Sequence, residues 1–288
     1  MNPLKILLTG GSGYVGSNIL DLLSNKYKFT SIDSRNTRKN IDGVNYFIKD
    51  ITEKIELDEH CFDGIVHLAG ISRVKDGEKD ARTCFDVNVT GTVNVLDYAH
   101  ENNIPWVIIG GTVEEPTNAY GLSKKMANDA AKYYSEKNIN VLVLKFSTIY
   151  GGANDNKDKL IPILINNAVQ NKKIEISNGS IEADFIHFTD IAKGINLAIE
   201  YLATGKVGNY QEIPLCSGNN ISLKRLSKFI IETFNSSSDV FIKENREIEN
   251  VTSDVALFES IIGGFDRKTL LNGLLTEKNH IVDGNSVI

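Results

Sequence analysis

Tyr120 and Lys124 stand four apart in Tyr120-Gly121-Leu122-Ser123-Lys124, behind a Pro116-Thr117 pair that opens a helix. That spacing stacks the two side chains on one helix face, with an ammonium beside a phenol. A neighbouring cation favours the phenolate and lowers the tyrosine pKa, so the pair can trade a proton with a hydroxyl while hydride moves to or from a nicotinamide. Surface helices also show Tyr and Lys four apart by chance; here the pair follows five candidate strands in order. The other stretch with chemical meaning is Thr9-Gly10-Gly11-Ser12-Gly13-Tyr14-Val15-Gly16. Its glycines permit a tight turn, close approach of a phosphate to bare backbone, and close helix–strand packing. A helix starting near Tyr14 offers unpaired N–H groups and the positive end of its dipole to a pyrophosphate. Read from Gly11 the same letters fit GxGxxG, so spacing alone leaves the dinucleotide-binding subclass open.

Further candidates sit at strand ends. Phe29-Thr30-Ser31-Ile32-Asp33 reads as a second strand closing on a carboxylate that would accept hydrogen bonds from an adenosine ribose and repel a 2′-phosphate, favouring NAD over NADP. Asp33 also reads as a turn aspartate, and Arg35 would soften the preference. Tyr46–Ile51 reads as a third strand bringing Asp50 to the same edge, as an adenine contact or a solvated loop residue. His67, inside the buried strand Gly64–Gly70, reads as a satisfied core histidine. Asn88, early in a helix patterned by Phe85, Val89, Val93, Leu96 and Ala99, is either a polar contact at the cofactor edge or a solvent-facing residue.

These residues need strands to carry them, and the pattern supplies six: near 6–8, 29–33, 46–51, 64–70, 106–109 and 141–146, alternating with amphipathic helices. The expected fold class is α/β, a doubly wound parallel sheet with ligands at its carboxyl edge. Residues 1–152 form the expected dinucleotide-binding core. Residues 153–288 form a smaller mixed α/β substrate-binding lobe that does not fold independently, and its last helices pack back on the core. In that lobe the pattern gives helices over 160–170, after Ser222 and over 255–262, a helix capped by Thr189 or Asp190, and a loosely ordered end from Glu277 to Ile288. Ile71 to Ala81 reads as a loop over the site.

The chain has 288 residues, 41% of them hydrophobic and 24% charged, with net charge -6. Such a composition points to a globular chain and away from nucleic acid or an anionic membrane surface as partner. No apolar stretch approaches the roughly 20 residues needed to span a bilayer. The first strand starts by Leu4, too early for a cleavable signal, so the expected location is the cytoplasm. Cys61, Cys84 and Cys216 lack a CxxC pairing, and neither disulfides nor a metal cluster is expected.

The ordered set TGGSGYVG, HLAG, DVNVTGTVNVL, the strand end at Thr112, YGLSK and ADFIHFTDIA resembles the extended short-chain dehydrogenase/reductase family, in its nucleotide-sugar epimerase/dehydratase branch. The resemblance spans roughly the whole chain and implies a Rossmann-like sheet. It makes Thr112, Tyr120 and Lys124 the catalytic residues: Tyr120 as acid/base, Lys124 lowering its pKa and bonding the nicotinamide ribose, and Thr112 holding the sugar oxygen. It implies NAD as cofactor, in contact with Gly10, Gly13, Tyr14, Val15, Gly16, Asp33, Asp50, Ile51, Leu68, Ala69, Gly70, Asn88, Tyr120 and Lys124. The implied substrate is a nucleoside diphosphate sugar, and the implied assembly a homodimer through helices near 85–100 and 118–135.

Three departures stand out: Val113-Glu114 where dehydratases follow the Thr with Asp-Glu, Ala183 where many members carry an arginine for the diphosphate, and Thr148 where several epimerases place Asn. The first disfavours dehydration; the others imply altered sugar contacts. The leading expectation is an epimerase working through a transient 4-keto sugar. Alternatives are an NAD(P)H-dependent 4-ketoreductase of a nucleotide-linked deoxysugar, or a dinucleotide-binding protein without chemistry.

Overall fold

The computed structural model describes residues 2–37, 39–58, 61–205, 209–244 and 254–282. The chain divides into two compact units, Met1–Phe146 with Ala192–Ile213, and Ser147–Ile191 with Pro214–Ile288. Its elements run β1 (Lys5–Thr9), α1 (Tyr14–Leu23), β2 (Lys28–Asp33), β3 (Asn45–Ile48), β4 (Gly64–His67), α2 (Val74–Lys79), α3 (Ala81–Phe85), a π-helical turn at Asp86–Thr90, α4 (Gly91–Glu101), β5 (Trp106–Thr112), α5 (Ala119–Ser135) and β6 (Asn140–Phe146). There follow β7 (Thr148–Tyr150), α6 (Leu160–Val169), β8 (Ile174–Asn178), β9 (Glu182–His187), α7 (Phe188–Ala203) and β10 (Tyr210–Leu215). The chain ends with β11 (Asn220–Ser222), α8 (Leu223–Phe234), β12 (Val240–Glu244), α9 (Ala256–Ile261) and α10 (Leu270–Val282).

One seven-stranded sheet has the order β10-β6-β5-β4-β1-β2-β3. The pairings from β6 through β3 are parallel. Strands covered on both faces must be apolar throughout, and Ile6, Leu7, Leu8, Val107, Ile108 and Val141 to Leu144 are almost wholly buried. Burying each such side chain contributes about 1.5–3 kcal/mol. Strand order runs outward from β1 to β3 on one side and from β4 to β6 on the other, so it reverses between β1 and β4. Ligands of open α/β sheets bind beyond the carboxyl ends of the strands at such a reversal.

The second unit holds a three-stranded sheet, β11-β9-β7, and a two-stranded one, β12-β8. Its core joins Tyr150, Ile161, Leu164, Ile174, Phe185, Leu226, Ile230 and Leu274.

Several expectations give way. Ile71 to Ala81 is not all loop. Arg73 grips Asp76 through two hydrogen bonds at the start of α2, and Asp80 caps α3 by accepting the Thr83 N–H at 3.0 Å. The third strand ends at Ile48, leaving Asp50 and Ile51 in the following turn. The helix through Asn88 is interrupted by the π-helical turn. α7 starts before Thr189: His187 Nδ1 accepts the Thr189 N–H at 3.3 Å, the role expected of Thr189 or Asp190. The expected loose end is helical to Val282, because Leu274 and Glu277 of α10 are buried; residues 283–288 lie outside the described residues. The strands β10, β11 and β12 have too little alternation to be read from the sequence.

Candidate active site

The glycine turn joins β1 to α1 at the strand-order reversal. Gly10 has φ +80°, which L side chains rarely adopt, and a Cβ there would lie 2.5 Å from the Ala69 nitrogen. A Cβ at Gly16 would lie 2.2 Å from the Gly10 carbonyl oxygen. α1 begins at Tyr14 with Gly13 at its N-cap and no side chain capping it. Bare backbone and an uncapped helix start are the features an incoming pyrophosphate requires.

Asp33 ends β2 and is nearly buried. Its carboxylate accepts the Ser12 N–H at 3.0 Å and the Arg35 N–H at 3.1 Å, tying the strand end to the glycine turn. Arg35 is largely exposed, with Nε 3.8 Å from the same carboxylate. A cavity of about 310 Å³ opens here, lined by Ser12, Asp33, Arg35, Thr37, Tyr46 and Phe47 among others. A carboxylate in a cavity with aromatic walls fits the adenosine end of a dinucleotide. Asp50 instead accepts the Thr52 N–H and hydroxyl, both at 2.9 Å, and Ile51 packs into the core against Gly91.

The turn after β4 carries Leu68, Ala69 and Gly70. A Cβ at Gly70 would lie 2.8 Å from Asn88 Oδ1 and 3.6 Å from Lys124 Nζ, so this turn meets both. Asn88 is buried, not solvent-facing. Its Oδ1 accepts the Ile71 N–H at 2.8 Å, and its Nδ2 donates to the Ile71 carbonyl at 3.0 Å and to Ser123 Oγ at 2.9 Å. The π-helical turn aims this side chain at the β4 turn and α5.

At the start of α5, Asn118 accepts the Gly121 N–H at 2.9 Å, and Glu78 of α2 accepts the Ala119 N–H at 2.8 Å. Glu78 escaped sequence reasoning because it lies in the stretch read as a loop. Tyr120 is 8% exposed, and its hydroxyl is hydrogen-bonded to Thr112 at the end of β5. Burial pushes the Tyr120 phenol up from its ordinary value, the Thr112 bond partly offsets this, and the Glu114 charge adds to the rise. The expected lowering by Lys124 is not among the influences on this pKa, which burial dominates, and the Lys124 ammonium donates to the Gly110 carbonyl at 2.7 Å. Burial holds Lys124 itself down at about 8. Thr112, Tyr120 and Lys124 thus gather at the carboxyl end of β5, beside the Gly70 turn, within the unit that carries the glycine loop.

In the second unit, Ala183 pairs with Ile221 across β9 and β11, and Thr148 is exposed at the start of β7. Asp184, read only as a motif letter, accepts bonds from the Ser147 and Ser217 hydroxyls and from the N–H groups of Ser217, Gly218 and Asn219, all within 2.6–3.1 Å. It organises a loop and is itself consumed in doing so. Among the described residues no cluster of three or more His, Cys, Asp or Glu could hold a metal, all three cysteines are free, and no helix is long and apolar enough to cross a membrane.

The model of the NAD dependent epimerase/dehydratase family matches residues 6–213. A putative UDP-glucose 4-epimerase of Methanocaldococcus jannaschii is 28% identical over 72% of this chain and 79% of its own length. The crystal structure of UDP-glucose 4-epimerase from Thermotoga maritima with UDP-glucose superposes with a TM-score of 0.85, covering 98% of this chain and all of the other at 17% identity. MoeE5, solved with UDP-glucose and NAD, superposes at 0.82 over 98% of this chain and all of the other, at 19% identity. The glycine turn, Asp33 and the buried Tyr120–Lys124 pair all fall inside the matched range, and the chain belongs to the NAD-dependent epimerase/dehydratase family, as an NAD-dependent enzyme.

Proposed function

We propose that the protein is an NAD-dependent epimerase of a nucleoside diphosphate sugar, working through a transient 4-keto sugar. The observation that carries this reading is the Tyr120 hydroxyl, buried and hydrogen-bonded to Thr112 next to the turn that meets Lys124. Relatives of the M. jannaschii type, which bear the name UDP-glucose 4-epimerase, support the substrate class. Gly10, Gly13, Tyr14, Val15 and Gly16 hold the pyrophosphate, Asp33 the adenosine ribose, and Leu68, Ala69 and Gly70 the path between. Bound NAD supplies a hydride acceptor that can return what it takes.

Tyr120 removes the proton from the sugar 4-hydroxyl and later gives it back, while Thr112 orients that hydroxyl. A phenol raised by burial is protonated at neutral pH, so it serves the return step readily. For the forward step Lys124 supplies the positive charge that favours phenolate as the proton leaves. Asn88 holds the β4 turn through Ile71 instead of reaching the cofactor, and Asp50 contributes at most its backbone. Val113 stands where a dehydratase has its acid, which supports epimerisation over loss of water. The second unit holds the nucleotide sugar, with no Arg at position 183. The active form is a homodimer: Leu122, Met126 and Tyr133 on one face of α5 are 41%, 44% and 58% exposed, a stripe suited to a second copy.

The test is incubation of purified protein with NAD and a panel of UDP- and TDP-hexoses, with products read by NMR. The expected result is an epimer without net NADH, slowed roughly 10²-fold or more by Tyr120→Phe. Full activity in Tyr120→Phe, or no epimer from any sugar, refutes the reading; stoichiometric NADH consumption with a 4-keto sugar assigns the reductase instead.

A further inference from the structure

His67 sits at the end of β4, in register with Thr9 of β1, and is almost wholly buried. Both ring nitrogens are engaged: Nδ1 lies 2.7 Å from Thr9 Oγ1, and Nε2 lies 3.0 Å from Thr92 Oγ1 on α4. The directions of these bonds are fixed by their neighbours. Thr92 spends its single hydroxyl proton on the Asn88 carbonyl at 2.6 Å, so it must accept from His67 Nε2–H. A neutral ring protonated at Nε2 has an acceptor at Nδ1, so Thr9 donates to it. The Thr9 oxygen then accepts the Ala69 N–H at 3.2 Å. The chain continues from Asn88, whose side chain holds both backbone groups of Ile71 and donates to Ser123 Oγ, which donates to the Tyr120 carbonyl at 2.7 Å.

We infer that His67 is a positioning residue: its Nε2–H tautomer locks the cofactor-facing turn 68–71 to the π-helical turn at Asn88, and through Ser123 to the first turn of α5 that carries Tyr120. Each threonine hydroxyl in the chain donates once and accepts once, so the Thr92–Asn88 bond fixes the direction of the bonds through His67 to Thr9. A neutral imidazole is the side chain that offers a donor and an acceptor at opposite ends of a rigid ring. The burial that excludes water from His67, and the Lys124 charge nearby, both hold its pKa far down, at about 3, so the acceptor at Nδ1 is kept. A core histidine of this kind shapes the site without touching cofactor or substrate.

The inference rests on the proposed cofactor contacts of residues 68–70 and needs no sugar turnover, so its failure and that of the epimerase reading are separable. In the full chain labelled with ¹⁵N-histidine, with His67→Phe used to assign the signal, His67 should show a protonated Nε2 and a bare Nδ1 at pH 7. Calorimetry with NAD should then show Thr92→Val binding about tenfold more weakly, while Thr92→Ser, which keeps the hydroxyl, stays within about twofold of wild type. Thermal unfolding of each variant identifies any that fails to fold; the imidazole signal of the wild type does not depend on them. An Nδ1–H tautomer or an imidazolium at pH 7 overturns the proposal, as does a folded Thr92→Val that binds NAD like wild type.

Discussion

Replacing Lys124 with Met keeps most of its volume and removes its charge. The folded protein holds this lysine at about 8, against 10.5 for the free side chain, because burial disfavours the ammonium. Below pH 8 both the folded and unfolded chains carry the proton, and the folded state bears the full cost of the buried cation. Between 8 and 10.5 the unfolded chain binds more protons, so this residue's contribution to stability rises with pH. From pH 7 to 9.5 the wild type should therefore gain about 2 kcal/mol relative to Lys124→Met, an upper figure because Lys124 keeps partial access to solvent. The assay is urea unfolding of both proteins at the two pH values, followed by the fluorescence of Trp106. That residue is the chain's single tryptophan and lies buried in β5, in the same unit as Lys124. The other ionisations are common to both proteins and cancel in the difference. A difference that stays constant with pH, or shrinks in the other direction, refutes burial as what governs this lysine.

Gly16→Ala places a methyl group 2.2 Å from the Gly10 carbonyl oxygen, a backbone atom that cannot swing aside. It should cost roughly 1–3 kcal/mol of stability and at least about tenfold in NAD affinity, read by thermal unfolding and calorimetry; NAD binding equal to wild type would show that the turn is not the pyrophosphate cradle. Met126→Glu puts a charge on the exposed stripe of α5 and should convert a dimer to a monomer in sedimentation without changing the unfolding of the monomer. An unchanged sedimentation coefficient would remove that face as the interface.

The glycine turn and the parallel strands were legible because local rules govern them. An apolar run followed by glycines at fixed offsets has few ways to fold, and β1, β2, β4, β5 and β6 all appear where the apolar runs lie. Tyr120 and Lys124 were legible for the same reason, since both belong to one helix. The electrostatics of the pair were not. The spacing suggests an ammonium that lowers the phenol, while in the folded chain burial raises the phenol and the ammonium goes to the Gly110 carbonyl. Asn88 shows a similar limit: a polar letter on a helix carries no sign of a π-helical turn directing it inward. The partners of Asp50 and Glu78, Thr52 and the Ala119 N–H, were not legible because they are set by turns and helix starts that leave no periodic trace.

By itself the sequence determined the alternation of strands and helices from β1 to β6, the position of the dinucleotide turn and the Tyr–Lys pair, because each follows from spacing along the chain, and the family motifs added Thr112. Only the tertiary structure decided what those side chains face. Tyr120 is buried and Lys124 half-buried by residues distant in sequence. The Thr9–His67–Thr92–Asn88 chain exists because four separate elements bring single hydrogen-bonding atoms within 3.0 Å of one another. Burial and bond direction are properties of packing, and packing is settled between elements that no local pattern relates.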